Sequence, residues 1–140
     1  MRTPVMTLFL LALAACSPSS DDIPVANGSY AGGGSRDRLC FGGTAEARSA
    51  GLIVYGQGNN NCSASGKLEK SDTGWVLVPK GEPVDGCRIP IAFEGEKAIV
   101  GAPPPSCAYY CGPQSSMAGK NFGLAAQASE AKDLAGDPLC

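Results

Sequence analysis

The sequence contains no histidine among its 140 residues. Histidine is the commonest general base and the commonest metal ligand, so its absence excludes Ser-His and Cys-His catalytic pairs and histidine-ligated metal sites. The Ser-Asp-Asn and Lys-Thr-Gly motifs that accompany Ser-Lys catalytic pairs are also absent. We therefore predict no catalytic residue, no metal site and no cofactor, which means a protein that is not an enzyme.

The chain also lacks a cluster of positive charge. It has 11 lysines and arginines against 13 aspartates and glutamates, and the basic residues are spread singly or in pairs. A nucleic-acid-binding surface needs a basic patch that neutralises several phosphates. Nucleic acid is therefore not a predicted partner.

The apolar run near the N-terminus is too short to span a membrane. It extends over 11 residues from Val5 to Ala15, whereas a membrane-spanning helix needs about 20. Arg2 precedes the run and small residues end it, which is typical of a secretory signal peptide. The sequence therefore predicts a signal peptide over residues 1–15.

The last residues of this segment form the stretch Leu13-Ala14-Ala15-Cys16, which resembles the lipobox of bacterial lipoproteins. The resemblance implies cleavage before Cys16 and acylation of that cysteine with fatty acids such as palmitate, and several acyl chains hold a protein stably on a membrane. By the sorting rule of Gram-negative lipoproteins, Ser17 after the cysteine implies the outer membrane, with the domain facing the periplasm. The alternative is simple cleavage that leaves Cys16 free.

Six cysteines remain if Cys16 carries lipid. An even number in an exported chain predicts disulfides, and six cysteines allow 15 pairings. We expect Cys111 to pair with Cys140. The alternative is a thiolate metal or redox site at Cys107 and Cys111, whose spacing resembles the copper-binding CxxxC of some cytochrome oxidase assembly proteins. The six disulfide candidates are Cys40, Cys62, Cys87, Cys107, Cys111 and Cys140.

The rest of the chain divides into a lipidated cysteine with a flexible tether over 16–36 and one domain over 37–140. Residues 17–34 are rich in serine, glycine and proline, which is typical of a flexible linker. In the domain, short β-branched runs alternate with turn residues, which predicts a small, disulfide-bonded antiparallel β-sandwich or barrel. The strongest strand predictions are residues 51–55, 75–78, 87–93 and 98–100, and the weaker ones are 38–41, 63–69 and 107–110.

An alanine-rich stretch near the C-terminus shows a different periodicity. Leu124, Ala128, Ala131 and Leu134 fall at helical spacing, and Gly136 offers a C-cap. The pattern predicts one short helix near 124–135.

The stretch Ser63-Ala64-Ser65-Gly66, followed by Trp75, Lys80-Gly81 and Cys87, resembles the membrane-bound inhibitors of C-type lysozymes. The resemblance covers about 25 residues. It implies a lipid-anchored β-barrel in which a polar loop that contains Ser63 and Ser65, together with Lys80, contacts the catalytic carboxylates of a wall hydrolase.

Tyr109 and Tyr110 are further candidate binding residues. Adjacent side chains of an extended segment point to opposite faces, which would expose one of the two rings.

Three functional hypotheses follow. The leading one is an outer-membrane lipoprotein whose periplasmic domain binds an envelope protein or supports the envelope without catalysis. The arrangement of the cysteine-containing segments and strand candidates along the chain resembles that of small Gram-negative envelope lipoproteins. The second is an inhibitor of lysozyme-type wall hydrolases, and the third is a cysteine-based metal or redox protein.

Overall fold

A computed structural model of the chain describes residues 23–81 and 86–140. The predicted signal peptide and Cys16 lie outside these residues. The described residues form eight strands in a single antiparallel sheet, each strand paired with the next along the chain. The strands are β1 (Gly28–Ala31), β2 (Arg38–Gly43), β3 (Arg48–Tyr55), β4 (Asn61–Ser71), β5 (Gly74–Pro79), β6 (Ile89–Glu94), β7 (Lys97–Val100) and β8 (Asn121–Gly123).

The sheet curls into a nearly closed barrel. Its first and last strands approach each other, and Gly32, just after β1, forms an isolated bridge with Phe122 of β8. An eight-stranded barrel is just wide enough for side chains to fill. The predicted mainly-β, disulfide-bonded fold is therefore confirmed, and of the two predicted architectures the chain adopts the barrel.

Apolar side chains that alternate along each strand fill the barrel interior. On β3, for example, Leu52 and Val54 are fully buried inside, and Ile53 between them packs in a separate cluster on the outer face. Each large side chain that is removed from water contributes about 1.5–3 kcal/mol to folding. The largest interior side chains are Tyr30, Leu39, Phe41, Leu52, Leu77, Ile89, Ile91, Met117 and Phe122.

Strand β4 is the longest strand among the described residues, and Gly66 in its middle pairs with both neighbouring strands. A methyl group on Gly66 would clash with the carbonyl oxygen of Val78 on β5. Gly66→Ala is therefore expected to lower the free energy of unfolding by about 1–3 kcal/mol, the usual cost of overpacking. Urea denaturation measures the change, and Gly123→Ala, whose added methyl group would have no neighbour within 4 Å, should leave stability nearly unchanged. Equal stability of the two variants would contradict the need for glycine at this close approach of β4 and β5.

The tether predicted for 16–36 is wrong over its described part, because residues 23–36 belong to the barrel. Ile23 is buried in the core, and β1 forms where a linker was expected. The serine- and glycine-rich composition did not predict β1, because this short strand is stabilised by pairing with β2 and not by its own β-propensity.

The glycines of this segment form a tight turn around Asp37. The Gly32 N–H donates to the Asp37 carbonyl at 3.0 Å, and the Asp37 N–H donates to the Gly34 carbonyl at 3.0 Å. A methyl group on Gly32 would lie 2.7 Å from the Asp37 side chain. Glycine is therefore required here for close approach and not for the flexibility of a linker.

The helix predicted near 124–135 is also wrong, because the segment is an irregular tail on the outside of the barrel. The Ala128 N–H donates to the Ser29 carbonyl at 2.7 Å, and the Ala131 N–H donates to Ser29 Oγ at 2.9 Å. In a helix these amides would bond to carbonyls four residues earlier. A helix of 12 residues is marginal by itself, so contacts with β1 override the local preference.

The predicted disulfides are present, but the expected Cys111–Cys140 pairing is wrong. The barrel brings Cys111 to the start of β4 and the C-terminus to the outer face of β2. The structure pairs the six cysteines as Cys40–Cys140, Cys62–Cys111 and Cys87–Cys107.

The weak strand prediction over 107–110 is wrong as well. These residues lie in a 3₁₀ helix, Pro105–Tyr110, that begins with a proline in its first turn. Proline presets the backbone angle of a helical first turn and has no N–H to satisfy.

Candidate functional site

The two ends of the barrel differ in the length of their connections. Because consecutive strands are antiparallel, alternate connections meet at the same end. One end carries the short turns 44–47, 72–73 and 95–96, and the chain enters β1 and leaves β8 there. The other, which we call the long-loop end, carries the connections 32–37, 56–60, 80–88 and 101–120. Binding residues concentrate on long loops held by a rigid scaffold, which favours the long-loop end as the functional one.

The candidate residues from β4 lie on its outer face, toward the long-loop end. Cys62 and Ala64 point into the core, and Ser63 and Ser65 alternate with them and are half-buried. The resemblance to lysozyme inhibitors implied a protruding loop for these serines, whereas the structure places both within a strand.

The structure brings Ser65 and Lys80 together. The Lys80 N–H donates to the Ser65 carbonyl at 2.9 Å, which continues the β4–β5 pairing by one residue. Lys80 is exposed, and Lys67 lies two residues from Ser65 on the same outer face. The outer face therefore carries Ser65 and two lysines at neighbouring positions of β4 and the end of β5. Within the described residues neither lysine has an ion-pair partner.

A surface groove of about 610 Å³ runs along this face, and we call it the β4 groove. It lies between β4 and the last two residues of the chain. Its lining combines positive, negative and apolar groups: Glu46, Arg48, Ser49, Lys67, Glu69, Lys80, Leu139 and Cys140.

The negative charges of the β4 groove already have partners. Glu69 pairs with Arg88 at 3.4 Å. The carboxylate of Glu46 accepts hydrogen bonds from the Glu46 backbone and from the Thr44 side chain, and the positive charge of Arg48 is nearby. These interactions lower the pKa of Glu46 below its usual range. Both carboxylates are thus engaged within the domain, and the two lysines remain available to carboxylates of a binding partner.

Tyr109 and Tyr110 also lie at the long-loop end, on the 3₁₀ helix. Their rings meet edge to face with centroids 5.3 Å apart. Tyr109 is 68% exposed, and Tyr110 packs against the core, so only one ring is available to a partner. The Cys62–Cys111 bond fixes the end of this helix beside the start of β4. All five candidate binding residues therefore lie at or toward one end of the barrel.

The cysteines do not form the alternative thiolate site. Cys107 and Cys111 are bonded to different partners, Cys87 and Cys62, and not to each other. In the part of the chain that the structure describes, no three histidine, cysteine or carboxylate side chains are grouped as metal ligands.

Lys67 and the ion pair Asp37–Lys120 were not predicted from the sequence. The alternation of β4 could have identified Lys67, because Ser63, Ser65 and Lys67 are spaced by two residues. No sequence signal links Asp37 with Lys120, because these residues are 83 positions apart and meet only when the barrel closes.

Comparison with known proteins finds no family, no curated protein and no solved structure that matches this chain. Among the described residues, no helix has the length and apolar character needed to cross a membrane.

Proposed function

We propose that this chain is an outer-membrane lipoprotein, anchored through acylated Cys16, whose periplasmic barrel acts by binding without catalysis. The observation that carries the proposal is the set of three disulfides in the described domain, because such bonds form and persist in exported proteins. The lipobox-like stretch before Cys16 supplies the anchor.

The binding role rests on the distribution of side chains in the barrel. Large apolar side chains fill the interior, so a partner has to bind the outer surface or the loops. Lys67 and Lys80, which have no ion-pair partner among the described residues, and the adjacent serine on β4 are donors suited to carboxylates. An acidic segment of an envelope protein is therefore the partner chemistry we propose for this domain.

Substitution of Cys16 tests the anchor. We expect the Cys16→Ser variant to lose acylation and to leave the membrane fraction, because several acyl chains and not the barrel hold the protein there. Mass spectrometry of the mature protein and membrane fractionation measure both effects. Ser19→Ala is the matched control and should stay lipidated.

The same experiment tests the choice of membrane. Ser17→Asp should remain acylated but shift to the inner membrane. An unmodified Cys16 or an uncleaved signal in the wild-type protein would end the lipoprotein proposal.

Inhibition of a lysozyme-type wall hydrolase is a second candidate, favoured by the contact between Ser65 and Lys80 on one exposed face. We expect the soluble domain to slow lysozyme on cell-wall substrate at stoichiometric concentration. Lys80→Ala should weaken inhibition about 10- to 100-fold, since a hydrogen bond to a charged group contributes about 1.5–3 kcal/mol.

Lys97→Ala is the matched control for this assay, because Lys97 is exposed at the opposite end of the barrel. It should inhibit as the wild type does. The absence of inhibition by the wild-type domain at large excess would exclude this function.

A further inference from the structure

The last ten residues of the chain form a compact hairpin, which we call the C-terminal hairpin (residues 131–140). Lys132 and Pro138 form a bridge, and the Asp133 N–H donates to the Asp137 carbonyl at 2.9 Å. The Leu139 N–H closes the hairpin by donating to a carbonyl at its start, that of residue 131, at 3.0 Å. The hairpin is thus a defined unit and not a frayed end.

The C-terminal hairpin covers the outer face of β2 and β3. Leu139 and Ala131 are 7% and 1% exposed and form a small apolar cluster with Ile53 and Cys40. The hairpin approaches the β3 backbone closely at Gly51, because a methyl group on Gly51 would lie 2.6 Å from the Leu139 carbonyl oxygen. This face would be an exposed apolar strip without the hairpin.

The Cys40–Cys140 disulfide is the covalent link between the end of the hairpin and β2, next to the packed Leu139. At the start of the hairpin, the Ala131 N–H donates to Ser29 Oγ. At its end, Cys140 is bonded to Cys40, which lies 100 residues earlier in the chain. Two grooves flank this disulfide. The β4 groove reaches Cys140 from one side, and a groove of about 490 Å³, lined by Ser29, Cys40 and Cys140, reaches it from the other.

The other two disulfides are in a different environment. Cys62, Cys87 and Cys107 are 0%, 3% and 1% exposed and belong to the main core, and Cys111 is partly buried and packs against it, whereas Cys140 is exposed. Thiol exchange requires access of an attacking thiolate to one sulfur of the bond. Of the three disulfides in the described residues, Cys40–Cys140 is the one with an exposed terminal cysteine.

We propose that Cys40–Cys140 is a thiol-exchange site for a dithiol reductant, and that its reduction releases the C-terminal hairpin. A thiolate of the dithiol attacks Cys140 Sγ, forms a mixed disulfide and expels the Cys40 thiolate, which takes up a proton. The second thiol then closes the reductant's own disulfide and releases Cys140 as a thiol. The dithiol loses two electrons and two protons, and the two cysteines gain them.

Release of the hairpin would join the two grooves across Gly51 and Ile53 into one surface. The barrel itself would stay closed, because the Cys62–Cys111 and Cys87–Cys107 bonds and the interior core are on the other side of the strands. The proposal does not depend on lipid attachment or on the binding partner.

Partial reduction of the folded domain with dithiothreitol, followed by alkylation and peptide mass spectrometry, tests the exchange site. We expect Cys40 and Cys140 to be alkylated about tenfold faster than the other four cysteines. Equal or faster alkylation of either other pair, or simultaneous opening of all three, would overturn the proposal.

Hydrogen exchange on the singly reduced domain tests the release. Protection should fall at the amides of Ala131 and Leu139 and persist at Leu52 and Leu77. The Cys40→Ala/Cys140→Ala double variant should reproduce this pattern, and Leu134→Ala, at an exposed position of the hairpin, should not. Unchanged protection at Ala131 and Leu139 after reduction would overturn the release step.

Discussion

Asp37→Ala is expected to lower the free energy of unfolding by about 3 kcal/mol, the largest loss we predict from one substitution at a polar residue. Asp37 is 2% exposed. Its Oδ1 accepts the Tyr55 N–H at 2.9 Å, and its Oδ2 pairs with Lys120 at 3.5 Å. Alanine would leave the partly buried Tyr55 N–H without an acceptor and a half-buried ammonium without its counter-charge. Equilibrium urea denaturation measures the loss.

The expected loss of unfolding free energy in Asp37→Ala is moderate for a buried ion pair, because a third of the Lys120 side chain is exposed and keeps contact with water. Asp37→Asn preserves an acceptor for the Tyr55 N–H, so we expect about half the loss. Asp72→Ala removes an exposed carboxylate from the β4–β5 turn and should change stability by less than about 0.5 kcal/mol. Equal stability of the Asp37→Ala and Asp72→Ala variants would show that the pair does not support the barrel.

Removal of the Cys40–Cys140 disulfide is expected to cost about 4.7 kcal/mol, the second large effect. The bond joins residues 100 positions apart and closes a loop of about that length in the unfolded chain, so the chain-entropy model gives a loss of this size. The Cys40→Ala/Cys140→Ala variant tests it by urea denaturation. Its m value should also rise, because the unfolded chain becomes more expanded.

The Cys87→Ala/Cys107→Ala variant is the matched comparison. Its bond spans a separation of 20 residues, for which the same model gives a loss of about 3.3 kcal/mol. A larger loss for this pair than for Cys40–Cys140 would mean that packing of the buried cysteines in the core, and not chain entropy, dominates the contribution of these bonds.

Most strands of the barrel could be predicted from the sequence, because their signal is local. The runs 51–55 and 75–78 are rich in β-branched residues between turn residues, and they became β3 and β5. β1 and β8 were missed because they are short and lack that composition. These two strands exist because their neighbours supply hydrogen-bond partners, which the sequence does not reveal.

The candidate site was predictable in part. Alternation along β4 sets Ser63 and Ser65 on one face, and it also set Lys67 there. The contact of Ser65 with Lys80 depends on the register between β4 and β5. The β4 groove depends in addition on the C-terminal hairpin, whose position follows from contacts with a strand about 100 residues earlier.

The sequence by itself determined that the chain has no histidine-based chemistry, that six of its cysteines can pair and that its domain consists mainly of strands. Each of these properties depends on composition or on neighbouring residues. Only the tertiary structure decided that the sheet closes into a barrel, that Cys140 bonds to Cys40, and that the alanine-rich tail is not a helix. These outcomes depend on contacts between residues far apart in the chain, which outweigh the weak local preferences of a short segment.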